Sequence, residues 1–227
     1  MNKRTRDFLI PCSILAISVF LLTITNADIR IESLFYKKGI GWPHSRDDVW
    51  EFLYQYGPYP GLCMGGAAAF VLLASFIAAR ARKYRTIAVY LVLVLALGPG
   101  LITNVLKDYW GRPRPRQVDV LGGEKKFLQV WQPSSDRPGA SFPSGHAAIA
   151  FYLFSPYLAL RRTSCGWARF FLITGILYGC LMGLARMIQG GHFPSDILWS
   201  GSIVYISGVA VFYGLRMDKI KEPQRFA

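Results

Sequence analysis

Long apolar runs alternate with short polar stretches along this chain. The runs are Phe8–Ala27, Gly61–Ala79, Thr86–Leu106, Ser144–Leu160, Trp167–Ala185 and Ile197–Leu215. A hydrocarbon core of about 30 Å takes about 20 residues of helix, and each run is near that length. Gly61–Ala79 and Thr86–Leu106 carry no charge at all. The pattern predicts an all-α, polytopic membrane bundle of six transmembrane helices, forming one domain over residues 1–227. With 52% hydrophobic residues, a soluble fold would lack the polar surface to cover six such helices. The first run follows Lys3, Arg4 and Arg6, as a secretory leader would, and Thr25-Asn26-Ala27 offers a cleavage point. Its apolar stretch is longer than a leader core, so an uncleaved first helix is the better reading.

The net charge of +13 would fit a nucleic-acid binder if it were spread over one surface, but it is not. Fourteen of the 26 Lys and Arg fall in four places. These are Lys3, Arg4, Arg6; Arg80, Arg82, Lys83, Arg85; Arg161, Arg162, Arg169; and Arg216, Lys219, Lys221, Arg225. With six spans, all four places lie on one side of the membrane, and positive charge accumulates on the cytoplasmic side. Both termini are therefore expected inside, in the cytoplasmic (inner) membrane of a cell. Cys12, Cys63 and Cys180 fall in spans and Cys165 in a cytoplasmic loop, so no disulfide is expected on the outer face. No internal repeat or low-complexity linker is present.

Two loops are expected outside. In Asp28–Tyr59, the residues Val49, Phe52, Leu53 and Tyr56 share one helical face, with Asp47 or Asp48 available as a cap. Trp42, Trp50, Tyr54 and Tyr59 lie nearby, which fits a short helix in the interface or an aromatic loop packed on the bundle. The second loop, Lys107–Pro143, carries Lys107, Arg112, Arg114, Arg116, Lys125, Lys126 and Arg137. Outer loops are poor in such charges when topology alone acts, so this excess points to an anionic partner.

At the outer ends of the spans, ionisable groups meet at one level. Lys107 closes the third run, Ser144-Gly145-His146 opens the fourth, Arg186 closes the fifth, and His192 with Asp196 opens the sixth. Ionisable residues at membrane depth are costly and mark function by default. Lys107, Arg114 and Arg186 supply cationic donors, and an arginine fork meets two phosphate oxygens at once. Ser144 and Gly145 begin a helix, where free N–H groups and the dipole favour an anion. A carboxylate four residues after His192 suits a nucleophile or base. His146 then remains as general acid for a leaving group. A single histidine capping a helix end would mean little; the whole set reads as a phosphate site.

The three motifs resemble those of the type-2 phosphatidic acid phosphatase superfamily. They are Lys107, six residues, then Arg114-Pro115; Pro143-Ser144-Gly145-His146; and Arg186, five residues, His192, three residues, Asp196. Ala185 stands where the family usually has Ser, and Arg112-Pro113 is a second Arg-Pro whose spacing fits less well. The resemblance implies a helical bundle, a phosphohistidine intermediate on His192, proton donation by His146, and no metal or other cofactor. It implies phosphate binding by Lys107, Arg114, Ser144, Gly145 and Arg186. The loop with Gly122-Gly123 and Phe127, and the run Gln189-Gly-Gly-His192-Phe, are similar to bacterial lipid A phosphatases. The expected partner is thus an anionic phospholipid or glycolipid, with lipid A first. Undecaprenyl pyrophosphate, phosphatidylglycerophosphate and phosphatidate are alternatives. A lipid phosphotransferase with the same site, an anion transporter and a non-catalytic lipid binder are the rival functions. The spans lack the polar path that transport would need.

Overall fold

The computed structural model describes residues 2–134 and 141–219. Arg137, Lys221 and Arg225, counted above among the basic residues, lie outside them. The chain forms α1 (Lys3–Ile24), α2 (Ala27–Glu32), α3 (Asp48–Tyr56), α4 (Tyr59–Ile77) and α5 (Ala79–Arg82). It continues through α6 (Arg85–Leu95), α7 (Thr103–Trp110), α8 (Gly145–Phe151), α9 (Pro156–Leu160), α10 (Cys165–Ile188) and α11 (Pro194–Gly214). No β-strand is present among the described residues; two isolated bridges, Lys37 with Gly41 and Val118 with Lys125, tie loops together.

Among the described residues, five helical stretches are long and apolar enough to cross a membrane: Lys3–Ile24, Asp48–Ile77, Arg85–Gln117, Cys165–Ile188 and Pro194–Gly214. Their outer faces are what hydrocarbon requires. Ile14, Ile17 and Phe20 on α1, Phe70, Leu73 and Phe76 on α4, and Phe170, Ile173 and Leu177 on α10 are all more than half exposed. Water would penalise such rows, and lipid does not. The protein is a multi-pass, all-helical membrane protein.

The fourth expected span differs from the other five. Gly145–Leu160 is shorter, and a tight turn at Tyr152–Phe154 divides it before Pro156. Its residues Ala147, Ala148, Ala150 and Tyr152 are fully buried. This segment packs against α4, α10 and α11, so its apolar character answers to protein neighbours rather than to lipid. The approach to α10 is close: a Cβ on Gly179 would lie 2.1 Å from Phe151, and one on Gly175 2.3 Å from the Phe154 backbone. Small residues permit such contact, which is the main source of helix attraction in a membrane.

The third span bends. Between α6 and α7 the backbone widens into a π turn, Ala96–Ile102, containing Pro99. Pro lacks the N–H that an α-helix needs, and a π turn absorbs the mismatch. Thr103 Oγ1 donates to the Gly98 carbonyl at 2.9 Å, so that oxygen is satisfied inside the bundle. The helix expected in the first loop is α3, preceded by Asp47 as anticipated. The Asp47 carboxylate meets His44 Nδ1 at 2.9 Å instead of capping the helix. Val49, Phe52 and Tyr56 face outward, and α3 packs on α10 by its other side.

Candidate active site

All eight residues singled out in the three motifs gather at one end of the bundle. Lys107 stands in the last turn of α7, Arg114 in the loop after it, Ser144, Gly145 and His146 at the start of α8, and Arg186 in the last turn of α10. His192 and Asp196 flank the beginning of α11.

His192 is buried, and its Nδ1 lies 2.5 Å from the Ser141 carbonyl oxygen. A carbonyl only accepts, so Nδ1 carries the proton and donates it. The neutral ring therefore presents Nε2 with a free lone pair. Burial, then the charges of Arg186, Lys107 and Arg114, hold the His192 pKa well below the usual histidine value. At neutral pH the ring is uncharged, as a nucleophile must be.

Asp196 does not bond His192 directly. The Nδ1 to Oδ2 separation is 3.9 Å, too long for a hydrogen bond. The spacing had implied that this carboxylate fixes the ring; it works instead through Ser141. Ser141 Oγ donates to Asp196 Oδ2 at 2.5 Å while the Ser141 carbonyl holds the ring. Asp196 Oδ2 also accepts the Phe193 N–H at 2.8 Å, closing the first turn of α11 that Pro194 begins. Its Oδ1 accepts from Arg112 Nη1 at 2.5 Å.

Arg112 is the group that the spacing argument set aside. It is fully buried, and besides Asp196 it donates to Asp28 Oδ2 at 2.8 Å, Ser195 Oγ at 2.8 Å and the Leu128 carbonyl at 3.0 Å. Its guanidinium also stacks on Phe193, 4.5 Å from the ring centre. Asp28 accepts in turn from the Ser195 N–H and hydroxyl at 2.9 and 2.6 Å. A buried cation thus joins α2, the second loop and the start of α11. The signal available in sequence was a carboxylate, Asp28, ending an apolar run, and a second Arg-Pro beside the first.

Around His192 the cationic groups are arranged differently. Lys107 and Arg114 are half-buried, Arg186 is buried, and all three act electrostatically on His192. The Nε groups of Arg114 and Arg186 are buried and lack a hydrogen-bond partner, although most buried donors are paired. Arg186 donates Nη1 to Gln189, and its guanidinium lies 4.6 Å above the Tyr54 ring. His146 stacks on the same tyrosine at 4.9 Å between centres. Tyr54, from α3, thereby contacts both His146 and Arg186. Ser144 caps α8 by accepting the Ala147 N–H at 3.4 Å, and its own N–H donates to Ser200 Oγ at 2.9 Å. The hydroxyl proton of Ser144 stays available to an anion. Gly190 has φ +59°, and a Cβ there would meet Trp42 at 2.5 Å, so only glycine fits two residues before His192.

Three cations and a neutral histidine converge beside the start of α8, an arrangement able to receive an anion. Residues 87–219 match the model of the PAP2 superfamily. The chain belongs to that superfamily. Among the proteins this PAP2 phosphatase resembles is the lipid A 4'-phosphatase of Francisella tularensis subsp. novicida strain U112, 35% identical over 203 residues, covering 86% of this chain and 88% of that one. A lipid A 4'-phosphatase of Rhizobium etli is 33% identical over 145 residues, covering 63% of this chain and 52% of that protein. The crystal structure of a transmembrane PAP2-type phosphatidylglycerolphosphate phosphatase from Bacillus subtilis superposes over all of both chains with a TM-score of 0.57 and 21% identity, a likeness of fold. The chain is a membrane phosphoric monoester hydrolase.

Proposed function

We propose that this enzyme removes a phosphate from lipid A, a phosphorylated glycolipid, by way of a phosphohistidine on His192. The observation that carries the mechanism is the donation from His192 Nδ1 to the Ser141 carbonyl, which leaves Nε2 to attack among three cations. Nε2 forms a bond to phosphorus as the bond to the lipid oxygen breaks. His146 gives a proton to that oxygen, so the lipid leaves as an alcohol. Lys107, Arg114, Arg186, the Ser144 hydroxyl and the N–H groups at Gly145 hold the three remaining phosphoryl oxygens, whose charge is spread in the transition state. The ring becomes cationic when phosphorylated. Asp196, 3.9 Å away and acting through Ser141, favours that charge. Water, deprotonated by His146, then attacks phosphorus and releases phosphate.

The substrate choice rests on the relatives that are lipid A 4'-phosphatases and on the basic loop. Release of inorganic phosphate from lipid A, undecaprenyl pyrophosphate and phosphatidylglycerophosphate, in one detergent, tests it. A clear preference for either of the last two overturns lipid A as the substrate. Appearance of the phosphate on an added lipid alcohol, with none free, overturns hydrolysis. An acid-labile, base-stable phosphoryl group trapped on the wild type and missing from His192→Ala supports the intermediate.

The chain crosses six times, in this reading, with the site facing the periplasm. Lys3, Arg4, Arg6, Arg161 and Arg162 surround one cavity at the start of α10, whereas the site lies at its end. Those ends are about 36 Å apart along 24 residues of helix. Cationic residues favour the cytoplasm, which supports this orientation. Cysteine labelling should reach position 125 from outside and position 162 only after permeabilisation; the reverse result would overturn it.

A further inference from the structure

The site opens into a cavity of about 510 Å³, with Arg114 and Arg186 on its inner wall and Arg46 and Arg116 at its rim. A cavity of that volume matches a sphere roughly 10 Å across, space for a sugar as well as the reacting phosphate. The charges do not balance around one phosphate. A phosphate monoester brings about two negative charges, and Lys107, Arg114 and Arg186 already meet them. Arg46 and Arg116 are exposed, and neither side chain has a hydrogen bond or ion pair among the described residues. The carboxylate on the wall, Glu51, accepts from Gln55 at 2.8 Å.

The rim is anchored to the loop that carries His192. The Arg116 N–H donates to the Gly190 carbonyl at 3.2 Å. Trp42 packs directly on Gly190, and the turn it begins, held by Ser45 Oγ to the Trp42 carbonyl at 2.8 Å, presents Arg46. The backbone that carries both cations is thereby tied to the segment before His192. Two guanidinium groups match the charge of a second phosphate, whereas a carboxylate would neutralise only one of them.

Resting on the phosphatase reading above, we propose that Arg46 and Arg116 form a subsite for a second phosphate on the same headgroup. The enzyme then prefers a glycolipid carrying two phosphates over one carrying the reacting phosphate alone. The cations do not touch the reacting bond, so they act on binding and leave the chemical step unchanged.

The test compares a glucosamine disaccharide lipid bearing two phosphates with the same lipid bearing only the scissile one. Wild type, Arg46→Ala, Arg116→Ala and the double variant are assayed at one ionic strength, after their thermal unfolding is matched. Losing charge-assisted hydrogen bonds at both positions should raise KM for the two-phosphate lipid by about 10-fold or more, with kcat within about 2-fold. KM for the one-phosphate lipid should stay as it was. An equal rise for both lipids would mean general attraction of anions and would overturn the subsite, as would no change for either. Binding of both lipids is also measured on the His192→Ala background, where nothing is turned over. A wild type that releases no phosphate would count against the phosphatase reading. The binding comparison would still decide the subsite, since it needs only the two lipids' affinities to part in the Arg variants.

Discussion

Replacing Arg112 with Met should cost more stability than any other single cationic change in this chain. The side chain is fully buried and serves two carboxylates, Asp28 and Asp196, which are 3% and 0% exposed. Removing one partner of a buried ion pair typically costs about 3–5 kcal/mol, because a charge is left without compensation. Here two carboxylates and the Leu128 carbonyl lose their donor together, which points to the upper end, about 5 kcal/mol. Met fills much of the volume, so a cavity adds little. Asp28→Asn leaves Arg112 on Asp196 and should cost less. Arg112→Lys keeps the charge but loses the fork, and should fall between. Thermal unfolding in detergent gives the stabilities, with Arg46→Ala as an exposed control expected within about 0.5 kcal/mol of wild type. Phosphate release is measured on whatever folds. Activity should fall further than unfolding explains, because Asp196 loses the bond that holds it toward Ser141 and so loosens His192. Arg112→Met as stable as Arg46→Ala, with phosphate release equal to wild type, would refute the network as the support of the site.

His192→Ala should abolish turnover of lipid and of p-nitrophenyl phosphate alike. His146→Ala should lose about 10² to 10⁴ in rate on the lipid but far less on the activated ester, whose leaving group needs no proton; initial rates on both substrates decide, and the opposite pattern would reverse the two roles. The lowered His192 pKa means that its neutral form persists as pH falls, so the acid limb of kcat/KM that reports this group should lie below the ordinary histidine value of 6.5. A limb at or above 6.5 that vanishes in His192→Ala would contradict the cause given. The groups facing the phosphate are cations and N–H donors, which repel a metal ion, so activity should survive EDTA and yield to vanadate; loss in chelator with recovery in Mg²⁺ would count against the mechanism.

Hydropathy located the helices because hydrocarbon obliges each segment to satisfy its own backbone, and each apolar run overlaps a helical stretch, although Asp48–Ile77 begins well before its run and Arg85–Gln117 continues well beyond its own. It did not separate lipid-facing from protein-facing segments. Gly145–Leu160 reads like the others, yet Ala147, Ala148 and Ala150 touch only protein. The three motifs named the residues that share the site, but not which of them bond. Arg112 and Arg114 are each followed by Pro, and Arg114 has extended backbone, φ −77° and ψ 156°. Along such a stretch residues two apart would share a side in a regular strand. The turn through Pro115 and the pairing of Asp28 with Arg112 send one guanidinium into the bundle and leave the other to the cavity. That choice is made by a carboxylate 84 residues away, which no local pattern reveals. The four-residue spacing of His192 and Asp196 would bring them together inside a helix. His192 precedes the first turn of α11, however, so Asp196 folds back to cap that turn and reaches the ring only through Ser141. Spacing therefore identifies the members of this site, while the hub at Arg112 and the relay at Ser141 follow from segments that meet only in the folded chain.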